Sequence, residues 1–217
     1  MQEAFGRWEV LGQRLVLLPE RAIFWEEAGI LFLADMHLGK SDHFRRHGIP
    51  VPGEIHHTDL ARMDRLIQTW PVREIYCLGD LFHSTLNAGW AILADWVQNT
   101  GLPFVLIQGN HDRLLPEKYI HAGVACMPHA VREPFFLVHD PAGSDQAPPH
   151  TYTLCGHLHP GVSLAGPGKQ TLRLPCFWMG PSVGVLPAFG RFTGLAIQYP
   201  LAGDTVFVIA DDQVIRL

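Results

Sequence analysis

The chain has 217 residues, 47% of them hydrophobic and 17% charged, with 16 Lys and Arg against 21 Asp and Glu for a net charge of −5. This composition excludes a disordered protein, and the length suffices for a core that buries about 70% of the unfolded surface. The apolar runs, such as Ala28 to Ala34, fall far short of the ~18 residues that span a bilayer.

In chain order, Trp8 to Leu11, Arg14 to Leu18 and Ala22 to Trp25 read as a meander of short strands, broken by Gly12-Gln13 and Pro19. Ile30 to Ala34 is a continuous apolar run of strand length, expected where a strand is covered on both faces. From Glu54 to Trp70, apolar residues at Ile55, Leu60, Met63, Leu66 and Ile67 follow helical spacing, and Pro71 lies just beyond. Arg73 to Leu78 is a second buried strand, Trp90, Leu93, Ala94 and Val97 mark a second helix, and Phe104 to Ile107 is a third strand. This β-α-β-α-β alternation implies a parallel sheet with right-handed crossovers.

The second half is strand-rich and shows no convincing helix. Pro134 to Val138, Thr151 to Cys155, Thr171 to Leu174, Val183 to Leu186, Thr193 to Gln198, Thr205 to Ala210 and Gln213 to Leu217 are its expected strands. The polar, Pro-rich stretch from Asp140 to His150 is expected to be a mobile loop. There is no repeat, linker or charge block, so one α/β domain over residues 1–217 is expected. Cys77, Cys126, Cys155 and Cys176 are widely spaced inside apolar runs, as buried free thiols would be. With no signal-peptide pattern at the N-terminus, a cytoplasmic location is expected.

The strands end in chemistry. Ile30 to Ala34 runs into Asp35-Met36-His37-Leu38-Gly39-Lys40, and Ile75 to Leu78 into Gly79-Asp80. Phe104 to Gln108 runs into Gly109-Asn110-His111-Asp112, Phe135 to Val138 into His139, and Thr151 to Cys155 into Gly156-His157-Leu158-His159. Parallel sheets place ligand sites at the carboxyl ends of their strands. A single Asp there is ordinarily a helix cap, and a single His an ordinary polar residue. Five such segments in one chain instead point to a metal site. Residues two apart on extended chain face one way, and the glycines at 79, 109 and 156 allow sharp turns and close approach. A mixed N/O donor set without Cys suits Mn²⁺, Fe²⁺ or Zn²⁺. There are more donors than one ion needs, which points to two ions sharing a carboxylate and activating water against a phosphate ester.

The order D-x-H, G-D, G-N-H-D, H, G-H-x-H over residues 35–159 resembles the calcineurin-like metallophosphoesterases. The resemblance implies a two-sheet β-sandwich of mixed sheets flanked by helices. It also implies that Asp35, His37 and His159 hold one ion, that Asp80 bridges, and that Asn110, His139 and His157 hold the other. His111 would contact the scissile phosphate and protonate the leaving oxygen, with Asp112 orienting it. His139 is chosen over His121, His129 and His150 because it ends an apolar run. His37 to Lys40, Phe44 to Pro50, Leu172 to Phe177, Gly180-Pro181 and Leu186 to Gly194 are further similar to the DNA-ligase-associated metallophosphoesterases (PdeM). That group implies a nuclease or phosphodiesterase of DNA repair, associated with a DNA ligase, a helicase and an exonuclease; of the metals that suit the donor set, Mn²⁺ is the one expected, with Fe²⁺ or Zn²⁺ as alternatives. A phosphomonoesterase acting on nucleotides or phosphoproteins, and a non-catalytic metal-bound scaffold, are the alternatives. Lys40, Arg45 and Arg46 are candidate contacts to flanking phosphates, and equally a solvated helix start. The net acidity argues against tight non-specific DNA binding by this chain alone.

Overall fold

The computed structural model describes residues 4–39, 55–82, 88–166, 168, 170–191 and 193–217. Two mixed sheets face each other. The first has seven strands in sequence order: β1 (Gly6–Val10), β2 (Gln13–Leu18), β3 (Ala22–Trp25), β4 (Ile30–Leu33), β5 (Glu74–Cys77), β6 (Phe104–Ile107) and β7 (Val124–Met127). The meander β1 to β4 is antiparallel, and β4 to β7 are parallel. The helices α1 (Ile55–Thr69), α2 (Ala88–Thr100) and α3 (Pro116–His121) lie within those parallel connections.

Why β4, β5 and β6 read as unbroken apolar runs is visible in the packing. Leu31, Leu33, Ile75, Cys77, Phe104 and Leu106 pack with Leu60, Met63 and Leu66 of α1 and with Leu93 and Val97 of α2. Their alternates Ile30, Phe32, Tyr76, Val105 and Ile107 enter the core between the sheets, against Phe135, Leu137, Tyr152, Leu154, Phe177 and Phe207. The period of two thus sends every second side chain into a different core.

The second sheet has nine strands: β8 (His129–Arg132), β9 (Phe135–Val138), β10 (Tyr152–Cys155), β11 (Pro160–Ala165), β12 (Thr171–Met179), β13 (Val183–Val185), β14 (Ala196–Ile197), β15 (Thr205–Ala210) and β16 (Gln213–Arg216). Strand β12 runs on through Pro175, beyond the expected end at Leu174. Pro175 sits where the strand changes partner, from Gly161 of β11 to the β15 register that begins at Cys176–Val208. A missing N–H costs least at such a junction.

Other expectations need correction. Strands β7, β8 and β11 and the one-and-a-half-turn α3 lack the unbroken run of large apolar residues that marks the four-residue β4 and β6, and the expected strand from Thr193 to Gln198 shrinks to Ala196–Ile197. The stretch expected to be a mobile loop is instead built on a 3-10 turn, Pro141–Gln146, whose first amides are capped by Asp140: its Oδ1 accepts the Ala142 N–H at 2.9 Å. All four cysteines are free; Cys77, Cys155 and Cys176 are buried, while Cys126 is only half-buried.

Candidate metal centre

The loops after β4 and β5 run side by side. Asp35 N donates to Gly79 O at 3.0 Å, His37 N to Asp80 O at 2.8 Å, and Leu38 N to Leu81 O at 3.0 Å. This continues the parallel ladder past the strands and holds Asp35, His37 and Asp80 together. The backbone there is unusual. Asp35, His37, Asp80, His157 and His159 have φ of 55°, 47°, 53°, 69° and 48°. Non-glycine residues take this left-handed region rarely, and such strain gathers at functional sites. Five of the nine such residues described belong to the motif.

Two clusters of side chains result, Asp35 with His37 and His159, and Asp80 with His139 and His157. In each, the candidate ligand atoms lie within 4.8 Å of one another. Each carboxylate is split between two tasks. Asp35 Oδ2 accepts the His157 N–H at 2.9 Å, while its buried Oδ1 has no hydrogen-bond partner and lies 3.3 Å from His159 Nε2. Asp80 Oδ1 accepts the His111 N–H at 2.9 Å, and its Oδ2 stands 3.6 Å from both His37 Nε2 and His139 Nε2. One oxygen is therefore anchored to backbone, and the other faces imidazole nitrogen.

The histidines are set in the same way. His139 Nδ1 lies 2.9 Å from the Leu78 carbonyl, which can only accept, so the proton sits on Nδ1 and the Nε2 lone pair points into the site. That Nε2 is 3.2 Å from Asn110 Oδ1 and 3.1 Å from His157 Nδ1. His157 turns its Nε2 to Asp140 Oδ2 at 3.8 Å, leaving Nδ1 for the cluster. Imidazole nitrogens, an amide oxygen and carboxylate oxygens converge there. That donor set fits two divalent cations, one at each cluster, and Asp80 Oδ2 lies 3.6 Å from a histidine of each.

Close packing explains the glycines. A Cβ on Gly79 (φ +92°) would collide with the His139 ring, and one on Gly109 with the Asp80 carboxylate.

The structure brings together Asp35, His37, Asp80, Asn110, His139, His157 and His159. The His111 ring lies beside the first cluster, edge-on to His37 at 5.4 Å between centroids. His121, His129 and His150 belong to neither cluster. Asp112 works through the backbone: Oδ2 accepts from Asp80 N (2.8 Å) and Gly109 N (2.9 Å), and Oδ1 from Phe82 N (3.2 Å). It ties the Asp80 and Asn110 loops together, so its link to His111 runs through the chain as well as by sequence neighbourhood. Burial pushes its carboxyl up to about 6 despite those three amides. Lys40, Arg45 and Arg46 lie outside the described residues.

Two contributors escaped sequence reasoning. Asp140 follows His139 directly, and its position at the end of β9 was the available signal. The segment Leu186 to Gly190 was marked only by its similarity to the PdeM group, which gave no hint of this role: Phe189 N and Gly190 N donate to Ala34 O (2.8 Å) and Asp35 O (3.1 Å), strapping the first metal loop from the side.

Comparison with solved structures finds the Pseudomonas putida nuclease MPE, 32% identical, with a TM-score of 0.80 over 98% of this chain and 100% of that one. The Escherichia coli phosphoesterase YfcE fits far more loosely, 12% identical with a TM-score of 0.45, over 87% of this chain and 97% of that one. No protein-family model matches the chain, and no curated protein does. Among the described residues no helix is long and apolar enough to cross a membrane. A likeness of that identity over the whole length, on a sandwich whose strand ends gather the D-x-H, G-D, G-N-H-D, H and G-H-x-H residues, places this chain among the calcineurin-like metallophosphoesterases, where it is most like the DNA-ligase-associated (PdeM) group.

Proposed function

We propose that the chain is a dinuclear-metal-dependent phosphodiesterase that cuts nucleic acid. The observation that carries this reading is Asp80 Oδ2, 3.6 Å from a histidine of each cluster, on a carboxylate whose other oxygen holds the His111 amide. Asp35, His37 and His159 would hold one ion and Asn110, His139 and His157 the other, with Asp80 shared. Two such ions supply polarisation of the phosphoryl group and a water nucleophile at neutral pH. His111 delivers a proton to the leaving oxygen, and the Asp80 contact to its backbone fixes where its ring stands. Asp112 is a positioning residue. Mn²⁺ is the expected metal, with Fe²⁺ and Zn²⁺ equally compatible with an N/O donor set without thiolate. The nuclease name of the Pseudomonas relative supports a nucleic-acid substrate, and resemblance to the PdeM group supports a role in DNA repair beside a ligase, a helicase and an exonuclease. The test is turnover of a bis-aryl phosphate against an aryl monophosphate with Mn²⁺. Faster diester turnover that is lost in His111→Ala supports the proposal. Inactivity with every divalent metal refutes it, and preference for the monoester makes the chain a phosphomonoesterase.

A further inference from the structure

Away from the strand ends, a cavity of about 490 Å³ opens between α1, the turn at Pro19 to Arg21, the turn at Asp211-Asp212, Pro175 and Arg191. Its size falls within the ~300–1,000 Å³ of small-ligand pockets. Arg21, Arg62, Arg65 and Arg191 all line it. The chain is acidic overall and has 16 Lys and Arg, so four converging on one cavity are a concentration its composition does not predict.

We infer that this cavity is a second binding site, for a phosphate-type oxyanion. Arg62 forms the floor. Its side chain is 3% exposed, lies 3.4 Å from Asp59 Oδ1, donates to Phe189 O and stacks 3.9 Å over the Phe189 ring. Its Nε is buried and has no partner. Arg21, half-buried with φ of 70°, makes one 3.3 Å bond to Ala188 O. Arg65 and Arg191 are exposed at the rim. Glu20, Asp211 and Asp212 line the same rim, yet none forms an ion pair with any of the four arginines among the described residues.

Asp59, also buried, is the carboxylate that answers this charge at the floor, and it faces Arg21, Arg62 and Arg191 together. Burial, with Arg21 and Arg191 adding repulsion against the pull of Asp59, brings the Arg62 guanidinium down to about 10. An added anion offsets that repulsion. Guanidinium forks match the tetrahedral oxygens of phosphate with paired N–H donors, and unlike lysine they keep their charge when partly buried. The cavity also backs onto the metal centre. The carbonyls of Ala188 and Phe189 accept from Arg21 and Arg62, while the amides of Phe189 and Gly190 hold Ala34 and Asp35.

The phosphate can belong to a nucleic-acid strand running past the cleavage site, which rests on the proposed function, or be a free ion. Titration of the metal-free full chain with inorganic phosphate, read on arginine Nε–H resonances, decides whether the site exists. A saturable shift, weakened about tenfold or more in Arg65→Glu/Arg191→Glu, is expected from removal of two phosphate-facing cations. No saturable shift, or an affinity in that variant and in Arg65→Gln/Arg191→Gln unchanged from the unmodified chain, overturns the inference. Kinetics of the Mn²⁺-loaded enzyme then separate the sources. For strand phosphate, the ratio of kcat/KM on a single-stranded oligonucleotide to that on a bis-aryl phosphate falls in the variant, and the salt slope drops by about 1–2. For a free ion, that ratio stays constant while the phosphate-induced shift is lost. Absence of bis-aryl turnover in the unmodified chain counts against the proposed activity, and the phosphate titration still decides the pocket.

Discussion

Asp112→Asn isolates the brace beneath the metal loops. The carboxylate accepts three backbone N–H groups, two on Oδ2 and one on Oδ1, in a buried position. An amide has one acceptor oxygen. Placed toward Asp80 N and Gly109 N it keeps two bonds, now to a neutral acceptor, and turns its NH₂ against Phe82 N–H. One bond to a charged group is lost, worth about 1.5–3 kcal/mol, so a net cost of about 2 kcal/mol is expected. For a chain of this size that lowers the unfolding midpoint by roughly 4–8 °C. Asp112→Ala forfeits all three bonds and costs more. Because Asp80 and Asn110 sit on the loops being braced, metal affinity should also fall by about 10–100-fold. Thermal unfolding of the metal-free chain and Mn²⁺ titration measure the two effects separately. A variant that melts within about 2 °C of the wild type and binds Mn²⁺ equally well would refute the brace.

Three further outcomes follow from the geometry. Asp80→Ala should empty both metal positions, because Oδ2 lies 3.6 Å from a histidine of each cluster; two ions per chain by elemental analysis would show that the clusters do not depend on it. His111→Asn should keep its metal and lower diester turnover by about 10²–10⁴-fold, the usual worth of a general acid. Full activity would remove His111 from the chemistry. The thiols should resist modification in the folded chain at pH 8. Burial raises all four, Cys176 and Cys126 to about 12, and neighbouring Asp112 adds to the rise at Cys126. Ellman's reagent should therefore titrate four thiols promptly only after unfolding. Immediate reaction of Cys77 or Cys155 in the native chain would contradict their burial.

How much was legible depended on where the information sits along the chain. Asp35, His37, Asp80, Asn110, His111, His157 and His159 each stand within a few residues of an apolar run that marks a strand end, so local pattern located them. His139 had the run without a motif, and choosing it over His129 needed only the strand ending at Val138. Strand β7 and the 3-10 turn after Asp140 were opaque because neither is an unbroken run of large apolar residues like the equally short β4 and β6, and their order comes from neighbouring elements.

By itself the amino-acid order determined the two-core alternation of β4 to β6, the α/β first half, and the donor types that suit divalent metal. These follow from short-range rules: side-chain period, turn residues and ligand chemistry. Tertiary structure alone decided that Asp80 Oδ2 stands between the clusters, that the Leu78 carbonyl sets the His139 tautomer, and that Asp112 braces backbone. It alone also brought Arg21, Arg62, Arg65 and Arg191 to one cavity. Those relations join residues tens to more than a hundred positions apart, and only the register of strands and the docking of helices sets the distances on which coordination, tautomer and charge depend.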